Sequence, residues 1–481
     1  MSETLANSDV AGLLASWLPR QRWFAGEHGG VTLASAGHVR LADPYPAAAG
    51  QPVDILVHFV RATPAGGTED AATTYQVPLT YRSVEDPDLA HALLGDLLTD
   101  DGPRFVYDAA HDAAFVAAWL GAVANRHDVW SEPDAPRGRV RGVPRPGAAA
   151  PDPARPGRVL SGEQSNTSIV IAGRPAGSDA PEEGPAILKL FRVLQAGRNP
   201  DVTVTAALTA AGCERVPALL GWVEGEWVDP TGLPAWGHLS AMAEFVAGSQ
   251  DGWRLATRAV HDGESFAAEA AALGAATAAV HEALARAMPS RPTAPSDLAS
   301  IADHLDQRLR WALEAVPALA EYADAAAAVV AGVRSVREAP DMQLIHADLH
   351  LGQALRSDAR GWVLLDFEGE PLRPLAERGQ PDLALRDVAG MLRSFDYAAR
   401  HSVLGFADDD ARAVAAGAWA AACREAFLDG YAVEAKHDPR DDAVLLTAME
   451  LDKALYETVY ETRHRPGWVE VPLRALSSLL S

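Results

Sequence analysis

The 481-residue chain has two cysteines, Cys213 and Cys423, far apart in sequence. Two such residues build neither a disulfide framework nor a thiolate metal cluster, and they fit a reduced compartment. No apolar run is long enough to span a bilayer. The N-terminal stretch MSETLANSDVAGLLASW carries acids and no basic leader, so a cytoplasmic location is expected. Basic residues are scarce, 41 Lys and Arg against 65 Asp and Glu, a formal net charge of −24. Phosphate backbones are bound mainly through Lys and Arg, so this balance argues against a nucleic-acid partner. Neither H-E-x-x-H nor G-x-S-x-G occurs, which removes the usual zinc-protease and serine-hydrolase signatures.

What is present is a soluble, globular composition, 48% hydrophobic and 22% charged, in a chain long enough for two or three domain-sized units. The first hundred residues read as a small α+β unit. A short helix near Leu13–Leu18 precedes strand-like alternation over residues 53–60 and 74–79, with a turn at Gly66-Gly67. Residues 113–124 read as helical. Residues 133–157 are dense in Pro, Gly, Ala and Arg with almost no large apolar side chain, which predicts a flexible linker or long loop. Strands follow from Arg158, at 186–191 and at 240–246, with a helix at 203–211 between the last two. From Glu264 the pattern turns helical, over 264–286, 298–333, 383–398, 411–430 and 441–461.

One stretch, residues 343–370, interrupts the helices. Within it lie His346-Ala347-Asp348-Leu349-His350-Leu351-Gly352-Gln353 and Leu364-Leu365-Asp366-Phe367-Glu368. Two short apolar runs each end in a carboxylate, and an amide stands five residues after the first. Phosphoryl transfer from ATP needs a carboxylate that orients and deprotonates the attacking hydroxyl, and oxygen ligands that hold magnesium across the phosphates. Asp348 fits the base, and Gln353 and Asp366 fit the metal ligands. Two surface turns carrying acids by chance would account for one Asp but poorly for the ordered set. Upstream, residues 160–168 form a small polar loop whose N–H groups could cover phosphates, although such loops are common turns. Lys189 stands in an apolar strand, where a lysine needs an anionic partner or an edge open to solvent.

At these residues the chain resembles the actinobacterial maltokinases, relatives of the aminoglycoside phosphotransferases. The resemblance rests on HADLHLGQ (346–353), DFEGEP (366–371) and RDVAGMLRSFDY (386–397). It extends to GEQSNTS (162–168), KLF (189–191), WLPRQRWF (17–24) and the segment from Tyr456-Glu457 to Trp468. It implies an α+β, bilobal protein-kinase-like fold: an N-terminal α+β cap domain (1–110), a kinase N-lobe (111–247, including the linker 133–157) and a mainly helical C-lobe (248–481). It implies ATP and Mg2+ as cofactors. The implied reaction phosphorylates maltose to maltose 1-phosphate for glycogen and α-glucan synthesis, with other glycogen-pathway enzymes as partners.

By the same resemblance Gly162, Gln164, Ser165, Asn166, Thr167, Lys189, Glu244 and Val246 would bind ATP. His350, Gln353, Tyr456, Glu457, Tyr460 and Trp468 would bind the sugar. Read without it, Tyr456 and Tyr460 are better taken as core, and the glutamates with Lys453 as a solvated face. Arg393 and Asp396 read as structural or substrate-binding alike, whereas Asp387 reads as a brace for the catalytic loop. Two departures stand out. Ala347 replaces a usual glycine. Thr203 stands where the family carries a carboxylate, which leaves Asp201 or Glu214 as partner of Lys189. Two alternatives share these motifs: a kinase for another sugar, such as glucosamine giving a 6-phosphate, and a non-catalytic kinase-like binding protein.

Overall fold

The computed structural model describes residues 8–24, 30–44, 52–68, 71–100, 102–133, 137–149, 151–160, 165–174, 183–370, 375–404 and 411–480. The chain divides into two units, Met1–Ala206 with Ala218–Phe245, and Ala207–Pro217 with Val246–Ser481.

The first unit holds two antiparallel sheets. In one, the strands run in the order Val31–Leu41, Asp54–Pro64, Thr73–Arg82, Gly102–Asp108 and Leu93–Thr99. Val193–Leu194 joins it against Tyr75 and Thr74, so a piece of chain from well beyond residue 110 completes the N-terminal sheet. The other sheet has the order Asp128–Trp130, Arg139–Pro144, Leu219–Val228, Pro234–Glu244, Ala186–Phe191, Asn166–Ile171 and Gly157–Val159. Leu219–Val228 shows how sequence sets the faces: Leu219, Gly221, Val223, Gly225 and Trp227 are buried, and every intervening residue is partly exposed. The helix Ala113–Asn125 starts at Asp112, whose side chain caps the Ala114 N–H. It buries Phe115 and Trp119 in a core shared by Val57 and Phe59 of one sheet and Ile169, Leu188 and Leu239 of the other. Trp119 donates its indole N–H to Ser240 at 2.9 Å, which lets so large a side chain be fully buried.

The expected linker 133–157 needs correction. Arg139–Pro144 is an interior strand, paired with both Leu219–Val228 and Asp128–Trp130. The composition misleads because the arginines that make the segment look solvated are paired across the strands. Arg139 bonds Asp128 and Glu226, and Arg141 bonds Glu224. Only Val140 and Gly142 need to face inward.

The second unit is helical around a three-stranded sheet of Gln250–Asp251, Ala354–Ser357 and Gly361–Leu364. Its helices are Gly252–Asp262, Ala267–Ala287, Pro295–Ala315, Ala323–Ser335, Leu385–His401, Ala411–Ala435, Ala443–His464 and Glu470–Leu479, besides the short Leu375–Arg378. The expected single helix over 298–333 is two, broken where Pro317 opens a 3-10 turn. Ala267–Ala287 and Ala411–Ala435 approach so closely that a Cβ at Gly274 would collide with the Phe427 carbonyl, and one at Gly430 with that of Ala271. The alanine richness of these helices serves this close packing.

Candidate active site

Residues 346–350 of the second unit have no regular secondary structure, and one face of the helix Leu385–His401 holds them. Asp387, Gly390 and Ser394 are three and four residues apart and share a stripe of that helix. Asp387 accepts the His346 N–H at 2.7 Å and the Ala347 N–H at 2.8 Å. A Cβ at Gly390 would lie 2.6 Å from the Leu349 carbonyl oxygen, so only glycine admits the loop there. Ser394 accepts the Leu351 N–H at 3.0 Å. Behind Asp387, His281 donates from Nε2 at 3.0 Å, while its Nδ1 lies 2.9 Å from the Tyr431 hydroxyl. Burial alone would raise the Asp387 pKa. The hydrogen bonds from His281 and from the His346 backbone N–H outweigh it, holding the carboxyl below the ordinary aspartate value. The expected brace is therefore built from backbone amides.

Two residues of the loop region have left-handed backbone, Ala347 at φ 68° and Asp366 at φ 63°. For non-glycine residues this conformation costs energy, and it commonly marks functional sites. His346 Nε2 lies 2.6 Å from the Leu365 carbonyl and so carries the proton. Its Nδ1 accepts a long 3.4 Å bond from the Asp348 N–H. Asp366 follows the strand Gly361–Leu364, and the Gln353 side-chain amide donates to its Oδ2 at 3.1 Å. The two expected metal ligands are thus neighbours. Both offer hard oxygen donors, and the amide N–H on Asp366 leaves the Gln353 carbonyl oxygen as its coordinating end.

On the helix Ala443–His464, Lys453 places Nζ 3.3 Å from Asp348 Oδ1. Burial would lower the Lys453 pKa, but Asp348, Glu457 and Glu370 outweigh it, and the amine stays charged. Sequence reasoning missed this lysine, although its spacing of three and four from Tyr456 and Glu457 puts it on their stripe. Tyr456 stacks on Trp311 (6.4 Å, 22°) and on Tyr460 (6.2 Å, 23°), making a row of three rings. Arg308 lies over Tyr456 at 5.1 Å. Glu457 is buried and takes two bonds from Arg393, at 3.0 and 2.8 Å, on one oxygen. Burial pushes its pKa up, against the pull of Arg393 and Lys453. Trp468 belongs to a different stack, on Tyr397 (6.2 Å) and His401 (5.3 Å), rather than to the Tyr456 row. His350 turns Nδ1 onto the Gly352 N–H at 3.0 Å, and burial lowers its pKa, so the ring is neutral with its proton on Nε2.

In the first unit, Lys189 lies mid-strand, opposite Ser168 on one side and Ala241 on the other. Its Nζ is 3.1 Å from Asp201 Oδ2, in the first turn of Pro200–Ala210. Asp201 thus takes the partner role that the sequence left open. Asn166 donates to the Ser165 hydroxyl at 3.2 Å. The Thr167 hydroxyl accepts from Arg192 Nε at 2.8 Å, and the fully buried Arg192 also binds both oxygens of Asp108. Glu244 turns its carboxylate toward the Ala218 N–H at 3.4 Å, and Val246 is buried. Gly162 and Gln164 lie outside the described residues.

A family model described as the maltokinase N-terminal cap domain matches residues 17–112. The glucosamine kinase of Streptacidiphilus jiangxiensis is 33% identical over 298 residues, 59% of this chain and 66% of that protein, just under two thirds of its length. The glucosamine kinase of Mycolicibacterium smegmatis is 29% identical over 352 residues, 68% of this chain and 80% of that protein. Among solved structures, a glucosamine kinase superposes with a TM-score of 0.66 at 25% identity, over 98% of this chain and 99% of the other. A glucosamine kinase in complex with glucosamine, ADP and inorganic phosphate shares the fold at a TM-score of 0.62 and 24% identity, over 98% of this chain and 99% of the other. Residues 17–112 thus match the cap domain of maltokinases, and the chain is similar in sequence and in fold to glucosamine kinases.

Proposed function

We propose that this protein transfers the γ-phosphoryl group of ATP to maltose, giving maltose 1-phosphate for α-glucan and glycogen synthesis in the cytoplasm. Asp348 accepts the proton of the attacking hydroxyl, and Lys453 fixes the direction of its carboxylate. Gln353 and Asp366 hold magnesium, which when bound neutralises charge on the phosphates. Lys189, steadied by Asp201, serves the nucleotide phosphates. Among the described residues no helix is long and apolar enough to cross a membrane, which is compatible with the proposed location.

The observation that carries the choice of sugar is Lys453, 3.3 Å from Asp348. A charged amine beside the base repels an aminosugar ammonium but donates hydrogen bonds to neutral hydroxyls. The Trp311–Tyr456–Tyr460 row offers more aromatic face than one small ring fills, which suits a disaccharide. Glucosamine is the second reading, favoured by the names of the relatives. A coupled kinase assay with maltose, glucose and glucosamine, with the phosphate position read by NMR, decides between them. Phosphorylation of glucosamine at the 6-position with maltose untouched would overturn the maltose reading and leave the kinase one standing.

A further inference from the structure

The row of rings beside Lys453 has a cation set into it. Arg308 and Trp311 are three residues apart on Pro295–Ala315 and share a stripe of that helix. The Arg308 guanidinium lies 5.3 Å from the centre of the Trp311 ring and 5.1 Å from that of Tyr456. Its Nε donates to Asp452 Oδ1 at 3.2 Å. The other oxygen of Asp452 takes Arg386 Nη1 at 2.8 Å, and Arg386 is held in turn by Asp382. Burial would raise the Asp452 pKa, but the charges of Arg386 and Arg308 outweigh it, and the carboxyl stays below the ordinary aspartate value.

A guanidinium carries five N–H donors, and this one spends only the Nε–H. Neither terminal nitrogen of Arg308 bonds any described residue, and neither is buried. With 18% of the side chain exposed, both remain within reach of a ligand. An arginine kept only to neutralise Asp452 would bring a two-pronged contact to it, and Arg386 already neutralises that carboxylate. Arg463 is the contrasting case. It lies 5.6 Å from the centre of Trp311, but it is exposed, and no carboxylate among the described residues anchors it. The orientation of Arg308 is fixed in advance, so a ligand that takes its N–H groups need not immobilise a long side chain.

Its place along the helix says which part of a ligand it meets. Lys453, at Asp348, marks the end where the reacting hydroxyl lies on the proposed mechanism. Tyr456 and Tyr460 follow on the same stripe of Ala443–His464, about 4.5 and 10.5 Å farther along the axis. Arg308 stands at the level of Tyr456, beyond a sugar ring held at Asp348. We propose that Arg308 is a specificity-determining residue, which donates from its terminal nitrogens to hydroxyls of the second sugar ring, the one that is not phosphorylated. This rests on the maltose reading and names the donor of its distal subsite: Tyr456 supplies the apolar face, and Arg308 supplies the hydrogen bonds at the rim.

The test is steady-state kinetics of the full chain on maltose and on glucose, for wild type, Arg308→Met and Arg308→Lys. Methionine keeps an unbranched apolar stem beside Tyr456 and removes the donors, while Asp452 keeps Arg386. Arg308→Met should raise the KM for maltose about tenfold or more, the loss expected for hydrogen bonds from a charged group, with kcat within about threefold. The kcat/KM for glucose, whose single ring falls short of Arg308, should change less than about twofold, and so should the KM for ATP. Arg308→Lys keeps the charge without the fork and should recover part of the maltose affinity. Melting curves check folding, and the lysine variant carries the comparison if methionine destabilises the chain. An equal loss on maltose and glucose, or a fall in kcat with KM unchanged, assigns Arg308 to structure and overturns the proposal. An unchanged KM for maltose does so too. These outcomes leave the maltose reading standing, whereas a wild-type enzyme that takes glucosamine and ignores maltose removes that reading and this inference together.

Discussion

Lys189 and Asp348 are positioned by opposite means. Lys189 is one residue of a strand bonded on both sides, so its place is set redundantly by its neighbours in register. Asp348 lies in irregular backbone with left-handed residues at 347 and 366 nearby. That backbone is held by a few buried polar groups on another element, chiefly Asp387 and Ser394. A strand forgives the loss of one side chain. A loop that hangs on one carboxylate does not, and substitutions remote from the chemistry should be felt there most.

The largest effect is expected at Asp348, the proposed base. Asp348→Asn should lower kcat by about 10²–10⁴-fold, the range for general-base catalysis, while nucleotide affinity stays near wild type. A variant within a few-fold of wild type would show that another carboxylate is the base. Next comes Asp387→Asn. Asn offers one acceptor oxygen where Asp offers two, so its amide N–H must confront the His346 or Ala347 N–H, or His281. The loop should shift, and a displacement of about 1 Å costs roughly 10²-fold in rate. A pH dependence follows. Because the folded-state pKa of Asp387 is depressed, its stabilising contribution is present above the unfolded value of about 4 and is lost as pH falls through the lower folded value. Denaturant melts should therefore show a wide gap between wild type and Asp387→Asn at pH 7 that narrows below about pH 4. An equal gap at pH 7 and pH 3 would contradict the bracing role.

The contrast also explains what could be read from the sequence. The order of loop, Lys strand, Asp348 and Asp366 was legible because phosphoryl transfer dictates residue types in a fixed sequence. The helices from 383 onward were legible by period. The strand Arg139–Pro144 was not, because its solvent-facing arginines are satisfied by Asp128, Glu224 and Glu226, two of them some 80 residues away. Lys453 was missed for a similar reason. Its spacing was visible, but its carboxylate partner lies 105 residues earlier in the chain. The resemblance grouped Trp468 with Tyr456, whereas the 3-10 turn Pro466–Trp468 carries its ring to Tyr397. Local pattern reveals elements and ordered motifs, and long-range charge pairing is what it hides.

On the redundant side of the comparison, Lys189→Met should raise the KM for ATP about tenfold or more by removing a charge-assisted contact, with kcat reduced less. The strand should survive, because Ser168 and Ala241 still flank the position. Unchanged ATP KM would remove Lys189 from the nucleotide site.

The smallest expected effect is also the most informative about the loop. Ala347 has φ 68°, where a Cβ costs about 1–2 kcal/mol relative to glycine. Ala347→Gly relieves that cost but also loosens the unfolded chain, which gives back about 0.4–1 kcal/mol. The difference is a gain of about 0.5 kcal/mol, a rise of about 1–2 °C in Tm. Activity should hold within about twofold, because Asp387 grips the backbone N–H of residue 347, which glycine retains. If Ala347→Gly instead lowers Tm by several degrees, the methyl group contributes packing that outweighs the strain. If it keeps Tm but loses activity tenfold, the rigidity of alanine is itself part of how Asp348 is aimed, and the carboxylate brace alone does not hold the loop.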